Sequence, residues 1–229
     1  MRYTTSASGN SVRAARRWLG ANMIRWVQLG TASIPGGGGE LRLMQRGLEF
    51  SIFAGSIELM SSRLSGSEKA LASMACARVL ERPRPHILIG GLGMGFTLRS
   101  ALAALGPDAT ITVAELVPEV AAWARGPLAA IYGKSLSDPR LKIVKGDVGE
   151  MIVGVRSAYD AILLDVDNGP VALMRAANDD LYAAYGLREA QKALLPDGVL
   201  AIWSAAPDPA FTQRLRAGGY GVEEHHVRG

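Results

Sequence analysis

The chain has 229 residues, 48% of them hydrophobic and 20% charged, enough for one ordinary domain with a small appendage. No apolar run reaches the roughly 18 residues a membrane span requires, and one cysteine, Cys76, allows no internal disulfide and fits a reducing cytoplasm. The net charge of +4 comes from one end: residues 1–39 hold Arg2, Arg13, Arg16, Arg17 and Arg25 and no acid, and the rest carries 20 basic against 21 acidic residues, a balance that does not indicate a basic groove for nucleic acid.

Residues 1–39 are expected to be a basic, poorly ordered leader ending in the four-glycine link Gly36–Gly39. Residues 40–64 read as a small antiparallel β unit. Leu41 and Leu43 alternate with polar neighbours, Arg46-Gly47 suggests a turn, and Leu48, Phe50 and Ile52 alternate again. A second turn at Ala54-Gly55-Ser56 leads to Ile57–Met60. The unit is too small to stand alone. Ser65 and Glu68 have capping-box spacing, which predicts a helix to about Leu80, ended by Glu81-Arg-Pro-Arg-Pro85.

From His86 to the end the pattern alternates strand and helix. Strands are expected at His86–Ile89, Ala109–Ala114, Leu141–Val144, Ala161–Leu164, Val199–Trp203 and Gly221–Val227. Helices are expected over Phe96–Leu105, after Pro118, near Val148, over Leu181–Leu195 and over Pro209–Ala217. Pro196-Asp-Gly198 should stop the fourth of these. The class is α/β: a doubly wound, mainly parallel Rossmann-like sheet over residues 65–229.

The chemistry-bearing residues fall at the carboxyl ends of successive strands, where ligands bind in open α/β sheets. Gly90-Gly91-Leu92-Gly93-Met94-Gly95 joins a strand to a helix. Such glycines let the backbone approach a nucleotide closely, or merely allow tight strand–helix packing. Glu115, beside Leu116, ends the next strand and suits two ribose hydroxyls, or complements a helix N-terminus. Asp147, with the Val148 N–H, suits adenine, or caps a helix. Asp165 and Asp167 end the fourth strand as an ammonium-binding or general-base pair, or as an Asx-turn before Gly169-Pro170.

The histidines form no metal site. His86 starts a strand, and the adjacent His225 and His226 point apart, so all three are expected at the surface. Cys76 and Trp123 read as packing groups. Trp203 reads as packing too, with a place in a pocket wall as the alternative.

From about Leu41 to Trp203 the chain resembles the spermidine synthase-like (aminopropyltransferase) family, within the S-adenosylmethionine-dependent methyltransferase fold. The matching pieces are I-G-G-L-G-M-G, V-A-E-L-V-P-E-V, D-P-R-L-K-I-V-K-G-D, Y-D-A-I-L-L-D-V-D-N-G-P and L-L-P-D-G-V-L. The resemblance implies that Glu115 holds the ribose, Asp147 the adenine, and Asp165 the attacking amine of a polyamine. The implied co-substrate is S-adenosylmethionine or its decarboxylated form, with no metal, a small-molecule amine acceptor, a place in polyamine biosynthesis and a homodimer.

Three departures stand out. The acid that this family carries in its glycine loop, to hold the donor amine and repel a donor carboxylate, is replaced by Met94. The family's D-S-x-D-P-x-G-P is shortened, so Asp167 matches its second acid only loosely. No Tyr-His-Glu group falls in the Glu68–Met74 helix. The buried-sheet edge that the fold closes with an antiparallel pair is expected to lack a last strand.

Overall fold

The computed structural model describes residues 24–37, 39–165, 180–204 and 206–227. Among these residues nine strands form two sheets. Strands β1 (Val27–Ser33), β2 (Glu40–Arg46), β3 (Glu49–Ala54) and β4 (Ile57–Ser61) form an antiparallel sheet in that order. Two short hairpin loops connect β2 to β3 and β3 to β4. Each opens with a glycine in the left-handed region, Gly47 (φ 63°) and Gly55 (φ 55°), as tight hairpins require.

This sheet corrects the sequence reading in two places. Val27–Ser33, within the stretch expected as a leader, is a strand that pairs with β2 from Val27↔Gln45 to Ser33↔Glu40. Its Thr and Val content suits a half-buried edge, a signal that the arginine-rich context masked. Leu48, expected to continue the inward alternation, sits at a loop tip and is 96% exposed. The two-residue turn takes both Gly47 and Leu48, so the next inward positions start only at β3.

Strands β5 (His86–Gly90), β6 (Thr110–Glu115), β7 (Leu141–Lys145), β8 (Tyr159–Leu164) and β9 (Leu194–Ile202) form an all-parallel sheet in the order β7-β6-β5-β8-β9. The order reverses at β5, so a crevice opens between the ends of β5, β6 and β8. Alternate strand residues feed two cores. Ile87, Ile89, Ile111, Val113, Ala161 and Leu163 pack under α1 (Gly66–Ala77), α2 (Phe96–Ala104) and α3 (Pro118–Arg125). Leu88, Ala114, Ile162 and Leu164 pack under α5 (Val148–Ile152), α6 (Ala184–Ala193) and α7 (Pro209–Ala217). The sheet is therefore doubly wound, and a short α4 (Ala129–Tyr132) follows α3.

The antiparallel sheet shares the first of these cores. Ala32, Ile34, Leu41, Leu43 and Ile52 join the cluster under α1 to α3. The Trp123 indole of α3 lies against Gly30 of β1, where a Cβ would meet its Nε1 at 2.7 Å. The small sheet is thus held over the crevice by apolar burial, worth about 25 cal/mol per Å² removed from water.

Several local expectations changed. Ser65 is the first residue outside α1, but its side chain makes no capping bond; Glu68 accepts from Ser67 Oγ at 2.7 Å instead. The helix stops at Ala77, short of the expected Leu80 and before the proline run, with the Arg78 N–H bonded back to the Ala75 and Cys76 carbonyls. Pro196-Asp-Gly198 does not separate helix from strand. It forms a bulge within β9, where Tyr159 faces Leu194 but Ala161 already faces Val199, with Asp197 at φ 58°. Gly221–Val227 is not a strand. Its residues are mostly exposed, and its side chains tie it down through Glu223 to Arg78 (3.2 Å) and Thr212 Oγ1 to Glu224 (2.6 Å). Alternation alone cannot form a strand when no neighbour supplies a ladder.

His86 is half-buried rather than a surface residue. Its ring bridges the Ala158 carbonyl (3.1 Å) and Thr112 Oγ1 (3.0 Å) and tilts against Tyr159, and burial lowers its pKa. His225 and His226 are exposed, as expected. Cys76 is fully buried, and burial pushes its thiol up to about 11, so it is inert packing. Among the described residues no group of His, Cys, Asp and Glu is placed to hold a metal ion, and no helix is long and apolar enough to cross a membrane.

Candidate functional site

A cavity of about 390 Å³ lies between the two sheets. Its floor is the carboxyl edge of the parallel sheet, and its roof comes from β4 and the start of α1. Seven residues singled out in the sequence border it: Gly91, Gly93, Glu115, Leu116, Asp147, Val148 and Asp165. Gly90 lies behind the wall, where a Cβ would meet Val148 at 3.0 Å. Gly95 borders only a small recess alongside. Asp167 lies outside the described residues.

The glycine turn is shaped by backbone geometry that L side chains rarely adopt. Gly91, Gly93 and Gly95 have φ of 87°, 50° and 76°. The spacing G-x-G-x-G therefore encodes three left-handed residues. Two neighbours press on the turn as well. A Cβ on Gly95 would meet the Tyr132 ring at 2.3 Å, and one on Gly93 would meet Met60 of β4 at 2.6 Å. Tyr132 donates its hydroxyl hydrogen to the Gly93 carbonyl at 2.7 Å. Burial and the nearby Glu115 charge raise its pKa, which keeps it a donor. Nothing in the sequence singled out Tyr132.

Glu115 is 7% exposed, and both of its oxygens are anchored to backbone. Oε2 accepts from Leu92 N and Oε1 from Val117 N, each at 2.8 Å. It thereby ties the end of β6 to the glycine turn. Each carboxylate oxygen has two acceptor sites, the donor capacity of a diol matching such a group. Asp147 accepts from Gly149 N at 2.8 Å and caps α5. The capping alternative is thus realised, and the carboxylate still borders the cavity.

The far end of the cavity is different. Asp165, just past β8, accepts from Thr97 Oγ1 at 2.9 Å. Burial and the neighbouring Glu68 carboxylate push its pKa up to about 6. A carboxyl near neutrality beside a cavity can take a proton from an ammonium group. Glu68 and Ser67, from the first turn of α1, line the same wall. The sequence reading placed Glu68 in a capping box and missed this role; its signal was its position in the helix where the acceptor group was sought. Glu58 of β4 also lines the cavity and was likewise missed. Trp203 stands at its edge, so the pocket-wall alternative holds. Met94 is 1% exposed and joins the core cluster; it borders the small recess alongside rather than the main cavity.

The fold and crevice define a class: a Rossmann-like α/β domain of the methyltransferase type, with its ligand cavity at the sheet's switch point. No family model matches the chain. It is 29% identical over 156 residues to polyamine aminopropyltransferase 1 of Streptomyces coelicolor, which covers 65% of this chain and 28% of that protein. It is 28% identical over 165 residues to the polyamine aminopropyltransferase of Mycobacterium tuberculosis, covering 68% of this chain and 30% of that protein. The chain thus spans under a third of the length of these curated relatives. Among solved structures, spermidine synthase from Thermotoga maritima superposes with a TM-score of 0.60 at 18% identity, over 83% of this chain and 62% of that one. A spermidine synthase in complex with the transition-state analogue AdoDATO gives 0.59 at 18%, over 73% and 55%. The chain is thus similar in sequence to polyamine aminopropyltransferases and shares the fold of spermidine synthases.

Proposed function

We propose that this protein is a transferase that moves an aminopropyl group from decarboxylated S-adenosylmethionine to a polyamine-type amine. One observation carries the reading: a single cavity has Glu115 and Asp147 at one end and the near-neutral Asp165 at the other. The relatives' names support the same chemistry. The ribose would lie on Glu115 beside the glycine turn and Leu116, and the adenine on Asp147 and the Val148 N–H. Asp165, with Glu68 beside it, would receive the acceptor's ammonium and remove its proton.

The freed nitrogen lone pair attacks the donor carbon next to sulfur. The C–S bond breaks, and its electron pair stays on sulfur, which becomes a neutral thioether. The products are 5′-methylthioadenosine, a longer polyamine and the proton on Asp165. The sulfonium is already activated, so the protein mainly orients the reactants and manages one proton. The same reading makes the protein cytoplasmic. It also makes it a homodimer, for which the exposed Val27 and Leu29 of β1 offer apolar surface.

A second reading has its own support. Met94 leaves no acid in the glycine turn to repel a donor carboxylate, which favours a methyltransferase using intact S-adenosylmethionine. Calorimetry with both donors, followed by product analysis with putrescine, spermidine and a wider amine panel, separates the two. Tighter binding of the decarboxylated donor with 5′-methylthioadenosine formed supports aminopropyl transfer. Tighter binding of the intact donor overturns it, and binding of neither by folded protein overturns both readings.

A further inference from the structure

We propose that Glu58, on β4 of the small sheet, receives the ammonium of the donor's aminopropyl chain and sets the preference for a decarboxylated donor. The inference rests on the aminopropyl-transfer reading above and assigns a residue to a task that the glycine turn cannot perform. At the position where an acid would serve that task stands Met94, whose side chain is buried in the core under α2. Met94 borders only a small recess beside the main cavity, shared with Glu68 and Asp165, and brings no charge there. A charge for that task can come from another wall of the cavity.

The roof supplies it. Met60 of β4 lies directly on Gly93, so this strand forms the wall opposite the turn. A regular strand would send Glu58 and Met60 to one side and Leu59 to the other. Here β4 is irregular: Ile52 faces Met60 while the next residue, Phe53, already faces Glu58, leaving Leu59 without a partner position. A bulge of this kind re-aims side chains. As a result Glu58, Leu59, Met60 and Ser61, four consecutive residues, all border the cavity.

Glu58 is also held in place. The hydroxyl of Ser51, a fully buried residue of β3, donates to its Oε1 at 2.5 Å. Glu58 is exposed, and among the described residues no other hydrogen bond or ion pair engages it, so its second oxygen is open to solvent or a ligand. The other acids of the cavity have different tasks. Glu115 and Asp147 are anchored by backbone N–H groups at the nucleoside end. Asp165 is close enough to Glu68 to feel its charge, past the end of β8. A donor lying along the floor would extend its short chain from the turn toward the roof, where Glu58 is the carboxylate on the strand above. An added carboxylate on that chain would meet the Glu58 carboxylate.

The test is calorimetry on the full chain with three nucleosides: decarboxylated S-adenosylmethionine, intact S-adenosylmethionine and 5′-methylthioadenosine, which lacks the aminopropyl chain. Wild type is expected to bind the decarboxylated donor at least about 10-fold more tightly than the intact one. Glu58→Gln should collapse that ratio toward one and leave 5′-methylthioadenosine affinity within about two-fold. Ser51→Ala keeps the charge but frees it, and should reduce the ratio part of the way. An unchanged ratio in Glu58→Gln overturns the proposal and leaves aminopropyl transfer standing. Equal losses for all three ligands also overturn it, because Glu58 would then be structural. Binding of no nucleoside by wild type removes the parent reading as well.

Discussion

The two ends of the cavity hold their acids in opposite ways. At the nucleoside end, Glu115 is anchored through both oxygens by Leu92 N and Val117 N, and Asp147 by Gly149 N. At the other end, among the described residues, Asp165 accepts from one hydroxyl, that of Thr97, against burial and the repulsion of Glu68. Backbone donors are fixed by the fold and favour a charged acceptor at no cost in reorganisation. A lone hydroxyl beside a second carboxylate does the reverse. The first arrangement makes a rigid receptor for neutral hydroxyl and amino groups. The second stores a carboxyl near its titration point, where it can exchange a proton with an amine.

The comparison breaks most visibly at Asp165. Asp165→Asn keeps an oxygen for the Thr97 hydroxyl but cannot take a proton. Turnover with the amine acceptor should fall by about 10²- to 10⁴-fold, with donor affinity within a few-fold of wild type. Single-turnover kinetics and calorimetry measure the two separately. Turnover within a few-fold of wild type would show that the proton leaves by another route.

The same residue gives the next largest effect, on stability. The folded pKa of Asp165, about 6, lies above its usual 3.8. Between those values the folded state binds the proton more tightly than the unfolded chain does. This contribution is fully present below pH 3.8 and is lost as pH rises through about 6. At pH 8 the charged carboxylate therefore opposes folding by up to about 3 kcal/mol. Asp165→Asn should be more stable than wild type at pH 8, with the gain shrinking toward pH 4. Denaturant melts across that range measure it. A gain of equal size at every pH would exclude the charge as its cause.

How legible each end was follows from the physics that builds it. The glycine turn and the acids at strand ends are local: three left-handed glycines and a carboxylate after each apolar run can be read residue by residue. Glu115 and Asp147 could be named for that reason, and so could the strands from His86 to Leu164. The roof depends on contacts distant in sequence. Glu58 reaches the cavity only because β4 bulges against β3, and no alternation pattern signals a bulge. Glu68 read as a cap because the spacing from Ser65 fits one, yet the Ser65 side chain makes no such bond. Val27–Ser33 becomes a strand only through pairing with β2 and the packing of Gly30 on Trp123. Gly221–Val227 has the pattern of a strand and lacks the ladder.

At the nucleoside end, Glu115→Gln should cost stability and binding together. An amide offers one oxygen, so either Leu92 N or Val117 N is left facing an NH₂ group in a buried place. Leaving such a donor unsatisfied costs about 1–3 kcal/mol. Nucleoside affinity should drop about 10-fold or more, since the diol loses an acceptor. A folded variant that binds 5′-methylthioadenosine as wild type does would remove Glu115 as the ribose receptor.

The smallest effect separates the two tasks of Asp147. As a helix cap it satisfies Gly149 N, and removing a cap costs about 0.5–2 kcal/mol. As an adenine receptor it would accept from an exocyclic amino group. Asp147→Ser retains capping, because serine is as good a cap as aspartate, but its short neutral hydroxyl no longer reaches into the cavity as a carboxylate does. Stability should then stay within about 0.5 kcal/mol of wild type, whereas Asp147→Ala should lose about 1 kcal/mol. Both variants should lose discrimination between adenosine and inosine ligands, which differ by an amino donor and a carbonyl acceptor at one position. If Asp147→Ser keeps full discrimination, the residue is a cap alone, and the adenine must be read by backbone at Val148. The nucleoside end would then owe its selectivity to the rigid main chain, leaving Glu115 as its one working carboxylate.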